Sequence, residues 1–299
     1  MFENMEKGDT MKKQIVLLTL LLMCTSAYAG RLKIVTSIIP LCDITAAIAG
    51  DKAEVQAMVP PGTSPHVFSP KPSQLKAMAD ADMFIQVGSG MEFWAGKMIM
   101  ASGNKKFDIV TITDGMKLFA GDSDEPVDKS GRRTGNPHVW LDPVLVKEFS
   151  GRICVEMAKL DPADAAYFRA NYFKFSAGLD KLDSYFRVET KKFRVKELVS
   201  FHPAWTYFEA RYGLKEIAVI EAVPGKEPSP KELQNIIEEV KKYSIKTIFA
   251  ETYLSRKAAD VIAKEAGVNV LILNPEGGEG EDYITFMKKN FDVIKEAME

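Results

Sequence analysis

Leu32-Lys33-Ile34-Val35-Thr36-Ser37 is an apolar strand-like run, followed by an apolar helical stretch that ends at Gly50 and then by Ala53-Glu54-Val55-Gln56-Ala57-Met58-Val59. Strand, helix and strand follow one another within 28 residues, a helical crossover between two strands as in a βαβ unit. The same alternation continues. Pro60-Pro61-Gly62 breaks the second strand into a loop, Pro72 opens a helix to about Asp80, and strands are expected at Met83 to Val87 and Phe107 to Thr113. Strands separated by helices of this length predict a parallel sheet in an α/β domain.

A second run of alternation lies further on. Strands are expected at Glu197 to Phe201, Glu216 to Ile220, Thr247 to Ala250 and Val268 to Leu273, with helices between them at Pro230 to Tyr243 and Arg256 to Ala266. Between the two runs, Phe168, Tyr172, Phe175, Leu179, Leu182 and Phe186 recur in steps of four and three, the spacing of one buried helix face. Asp161 offers a cap and Pro162 a first-turn residue. A helix over 161–193 would span roughly 50 Å at 1.5 Å per residue. The predicted architecture is two similar α/β domains with parallel sheets joined by one long helix, divided as 30–160, 161–193 and 194–299.

Residues 1–29 read differently. Lys12 and Lys13 precede an apolar run from Ile15 to Met23, and Ala27-Tyr28-Ala29 places small residues where a leader is cleaved, which together describe a secretory signal peptide whose natural start is Met11. The run is shorter than the ~20 apolar residues of a membrane span. Cys24 opens the alternative of a lipid-anchored cysteine, but Met23 stands where such sites carry Gly or Ala. Export to an oxidising compartment follows, where Cys42 and Cys154 are open to a disulfide or to two buried thiols. A net charge of −2 without a long basic run speaks against a nucleic-acid partner.

The chain holds only three histidines, His66, His138 and His202. Each falls in a loop or at a strand exit, where open α/β sheets collect ligands. Imidazole is a preferred zinc donor. Spacings of 72 and 64 residues form no local metal motif, so a metal site and three ordinary surface or core histidines both remain open at this level.

The surrounding segments carry a resemblance. Pro61-Gly62-Thr63-Ser64-Pro65-His66 with Phe68-Ser69-Pro70, then Asn136-Pro137-His138-Val139-Trp140-Leu141-Asp142-Pro143, then Phe201-His202-Pro203-Ala204-Trp205 resemble the three ligand regions of the metal-binding proteins that serve zinc and manganese ABC importers. Gly88 to Trp94, Pro228 to Leu233 and Phe249-Ala250-Glu251 continue the match in order. The resemblance implies a periplasmic solute-binding protein, not an enzyme, with His66, His138 and His202 on one metal in an interdomain cleft. It also implies a monomer that delivers the ion to a membrane permease with a cytoplasmic ATPase. Where the family usually has a fourth, aspartate ligand, this chain has Asn274 before Pro275, leaving Asn274, Glu251 or water for that position. The expected loop at 120–137 lacks the histidines that many zinc-specific members carry there.

Three neutral imidazoles favour Zn²⁺ over Mn²⁺, which prefers oxygen. Manganese- or iron-type members of the same family are the nearest alternative. A secreted zinc hydrolase with a three-histidine site is the alternative from another class, although the chain has no His-Glu-x-x-His pair to supply a general base. Free imidazole titrates near 6.5, so metal affinity is expected to fall as pH drops through about that value.

Overall fold

All eight expected strands form, and every assigned pair is parallel. The computed structural model describes residues 30–119 and 135–299. The expected leader, Cys24 and residues 120–134 of the expected loop lie outside the described residues. The first sheet contains β1 (Leu32–Thr36), β2 (Ala53–Ala57), β3 (Met83–Gln86) and β4 (Asp108–Thr111) in the order β2-β1-β3-β4. Its central strand is buried on both faces. Ile34 joins the main core on one side, while Val35 packs with Met58, Val59, Phe68 and Trp94 on the other. That two-sided burial is why β1 reads as a continuous apolar run rather than an alternating one. Helices α1 (Ile39–Ala49), α2 (Pro72–Ala79) and α3 (Ala95–Ser102) connect these strands, and α1 has Pro40 in its first turn, where no N–H partner is needed.

The second sheet region repeats the plan. β5 (Glu197–Ser200) pairs with β6 (Lys215–Val219), β7 (Thr247–Glu251) pairs with β8 (Asn269–Leu273), and β5 lies beside β7. The two pairs adjoin through β5 and β7. Four helices accompany them.

The helix nearest the N-terminal side of this region is α6 (Thr206–Tyr212), and α7 (Pro230–Lys242), α8 (Lys257–Ala266) and α9 (Tyr283–Met298) follow. A reciprocal capping box starts α7, in which Ser229 N–H donates to Glu232 at 2.6 Å and Glu232 N–H to Ser229 Oγ at 3.3 Å.

Between the sheets run α4 (Pro143–Leu160) and α5 (Ala165–Glu189). The long helix is thus shorter than the expected 161–193. Asp161 Oδ1 accepts from the N–H groups of Ala163 and Asp164 at 3.2 and 3.3 Å, so it closes a turn ahead of the helix instead of capping it. At the other end Thr190 Oγ1 donates to Phe186 O at 2.8 Å and the chain tightens into one 3₁₀ turn, Thr190–Lys192. The 25 residues of α5 span about 37 Å.

Its apolar face is buried as expected, with Phe168, Leu179, Leu182 and Phe186 at most 2% exposed. One core uses that face from end to end. It contains Ile34 and Ile85 of the first sheet, Phe249 and Leu273 of the second, and Tyr283, Phe286 and Phe291 of α9. Residues Leu32–Glu299 form one compact unit. Cys42 and Cys154 are both free thiols. No helix among the described residues is long and apolar enough to cross a membrane.

Candidate metal centre

Two of the three histidines follow strands, and the third opens a turn ahead of a helix. His66 sits in a single 3₁₀ turn, Pro65–Val67, beyond β2. Gly62, at φ 81°, supplies the left-handed residue that lets the Pro60-Pro61-Gly62 loop turn back. His138 precedes a second 3₁₀ turn, Val139–Leu141, ahead of α4. His202 follows the last residue of β5 by two positions. Strand direction therefore delivers His66 and His202 to the carboxyl edges of the sheets, the usual ligand position in open α/β folds, and His138 joins them from the turn ahead of α4.

Their Nε2 atoms converge. His138 Nε2 lies 3.1 Å from His66 Nε2 and 3.1 Å from His202 Nε2, and donor atoms of all three lie within 4.8 Å of one another. Zinc–nitrogen bonds of 2.0–2.1 Å in a tetrahedron put donor atoms about 3.3 Å apart, so the observed spacing is that of a metal-sized triangle. His138 and His202 are 3% and 2% exposed, while His66 is only half-buried. Among the described residues no other group of three or more histidine, cysteine or acidic side chains has this geometry.

The opposite ring nitrogens have partners. His202 Nδ1 is 2.5 Å from Glu251 Oε1 at the end of β7. His138 Nδ1 is 2.8 Å from Asn136 Oδ1. Acceptors at Nδ1 keep the proton there and leave the Nε2 lone pair for a metal, the arrangement usual for metal-binding histidine. Burial, then the neighbouring His202, drives the His66 pKa down to about 3. Burial, then His202 and His66, drives that of His138 well below the ordinary range. Both rings are thus held neutral. The expected loss of metal affinity through pH 6.5 accordingly moves to lower pH for this pair, because free imidazole is the wrong reference for rings in this pocket.

Asn274 is committed elsewhere. Its Oδ1 accepts from Glu276 N–H at 3.0 Å and its Nδ2 donates to Gly277 O at 2.9 Å, so the amide closes its own turn. Asn290 braces the same turn from α9 through Asn274 N–H at 2.8 Å and Asn274 O at 2.9 Å. Glu251 is the carboxylate that orients His202. Behind it lies Glu276, 7% exposed, whose pKa is raised well above the carboxylate range by burial and then by the Glu251 charge. The sequence reading did not single out Glu276, since one glutamate in a Gly-rich turn carries no pattern. Asn136 was visible only as part of the His138 motif, with no role attached.

Paired parallel-sheet regions joined through one large core cluster, with three imidazoles gathered at one point, define a metal-type solute-binding protein. Comparison with known proteins narrows this. Residues 34–297 match the family model for the periplasmic component A of the zinc-uptake complex, ZnuA, and the chain belongs to that family. It is 30% identical over 280 residues to the high-affinity zinc uptake system protein ZnuA of Bacillus subtilis (strain 168), covering 90% of this chain and 88% of that protein. It is 31% identical over 316 residues to the zinc-binding protein AdcA of Streptococcus pyogenes serotype M3, spanning 95% of this chain but only 61% of that longer relative. A ZnuA crystal structure superposes with a TM-score of 0.82 at 31% identity, over 90% of this chain and all of that one.

Proposed function

We propose that the protein captures Zn²⁺ outside the cytoplasm with His66, His138 and His202 and passes it, as a monomer, to the permease of an ABC importer powered by a cytoplasmic ATPase. The observation that carries this reading is the convergence of three Nε2 lone pairs whose opposite nitrogens, at His138 and His202, are already engaged. An all-imidazole donor set suits zinc better than manganese. With the Asn274 amide closed on its own turn and Glu251 on His202, the fourth position falls to water. The site is read as a binding site and not a catalytic one, because the carboxylate that contacts its imidazoles is occupied in orienting His202.

Titration of metal-free protein with zinc against a competing chelator tests the assignment. Each of His66→Ala, His138→Ala and His202→Ala is expected to weaken binding by more than the roughly 10–100-fold typical of losing an outer-sphere partner. Unchanged affinity in all three sinks the ligand assignment. Preference for manganese in the same assay overturns the choice of metal.

A further inference from the structure

We propose that Asn136 is the positioning residue of the metal centre: its amide sets the tautomer of His138 and fastens that ring to the segment carrying His202. The inference rests on the zinc-capture reading and adds a residue to it.

Asn136 is 5% exposed, and each polar atom of its side chain is used. Nδ2 donates to Pro203 O at 2.6 Å and to Thr206 Oγ1 at 3.1 Å. Oδ1 accepts from His138 N–H at 3.0 Å and faces His138 Nδ1 at 2.8 Å.

This pattern determines which way the amide points. Rotated by half a turn, the NH₂ group would meet the His138 N–H, and the oxygen would meet the Pro203 carbonyl. Both contacts are repulsive. The oxygen therefore faces the ring, and since an amide oxygen only accepts, His138 Nδ1 must carry the hydrogen. Its Nε2 is left bare and aimed at the Nε2 atoms of the other two histidines.

Pro203 is the residue after His202, so the same amide that orients one ligand grips the backbone of another. Tyr207 reinforces the grip, its hydroxyl donating to Asn136 O at 2.7 Å. His66 has nothing comparable. Among the described residues its ring makes no hydrogen-bonding approach except that of Nε2 to His138 Nε2. His138 and His202 are thus a pair set in place before metal arrives, although 64 residues separate them.

The test uses metal-free full-length protein labelled with ¹⁵N-histidine. Three imidazoles give three long-range ¹H–¹⁵N patterns, each reporting which nitrogen holds the proton. The wild type is expected to show His138 protonated at Nδ1. In Asn136→Leu that ring is expected to shift toward the Nε2–H form, with zinc affinity lowered about 10–100-fold. Asn136→Asp keeps an acceptor for Nδ1 and is expected to retain the wild-type tautomer, with a smaller loss of affinity. Retention of Nδ1–H at His138 in Asn136→Leu, or wild-type zinc affinity in that variant, overturns the proposal. Should the leucine variant not fold, Asn136→Ala carries the same readout, and Nδ1–H retained there overturns the proposal equally. Wild-type protein that fails to bind zinc would refute the functional reading, while the metal-free tautomer would still decide the role of Asn136.

Discussion

His138 and His202 turn Nε2 toward each other with Nδ1 already engaged, one by an amide and the other by a carboxylate. The two partners differ in charge. Glu251 brings a carboxylate to His202, whereas Asn136 brings a neutral amide to His138. Neutral rings in a buried cluster also couple the metal-free fold to pH. An unfolded histidine takes up a proton near pH 6.5, while the folded pKa is lowered to about 3 at His66 and well below the ordinary range at His138. Protons therefore bind the unfolded chain preferentially. The contribution of these rings to stability is complete above about pH 6.5 and drains away as pH falls from there toward their folded-state values. Thermal melts of metal-free protein across that window are expected to fall more steeply for the wild type than for His138→Ala. Parallel curves would show that the rings titrate normally.

The segment 136–142 is the element on which the site depends. Besides Asn136, it sends Trp140 Nε1–H to Pro275 O at 2.8 Å and receives the Tyr283 hydroxyl at Trp140 O, 2.7 Å away. Its last residue, Asp142, is 2% exposed, caps α4 through Val144 N–H at 2.9 Å and accepts from Arg211 Nε of α6 at 2.8 Å. Removing the carboxylate in Asp142→Ala loses the cap and strands a partly buried guanidinium. The expected cost is roughly 2–4 kcal/mol, measured by denaturant unfolding. A loss below about 1 kcal/mol would mean that Arg211 finds another partner. Asp142→Asn keeps a capping oxygen and should lose less.

Such contacts mark where sequence reading stops. Strand positions were legible because burial on two faces leaves uninterrupted apolar runs, as in Ile34 and Val35, and α5 was legible from its stripe. The end of α5 was not, because Thr190 bonding back to Phe186 is a local competition that periodicity cannot register. The three histidines were legible as candidates. What orients them was not, since Asn136 with Pro203 and His202 with Glu251 are partners 67 and 49 residues apart.

At the scale of the described molecule, each sheet region has an apolar cluster of its own on one side, but both contribute to a third and largest one. Phe186 of α5 stacks on Phe291 of α9 with ring centroids 4.3 Å apart, and the same cluster reaches Ile34 and Ile85 of the first sheet. Neither region can open fully without exposing the bridging helix that the other also covers. Calorimetry of the metal-free protein is expected to give one transition with matching van't Hoff and calorimetric enthalpies. Two resolved peaks would show that the sheets have independent stability. Zinc should raise the single midpoint in proportion to the logarithm of its free concentration.

Trp140 turns this architecture into an optical instrument. Its indole is fully buried and its ring centre lies 5.0 Å from that of His138, so the fluorophore is sealed from solvent quenchers yet adjacent to the proposed metal site. Zn²⁺ has a filled d shell and no redox chemistry, and should leave the emission largely intact. Cu²⁺ at the same nitrogens should extinguish it by electron or energy transfer, and adding zinc in excess should restore it only as fast as copper leaves. The part of the emission lost when Trp140→Phe removes one of the three tryptophans is therefore expected to fall with copper and persist with zinc, and copper that leaves it intact would place the metal away from His138.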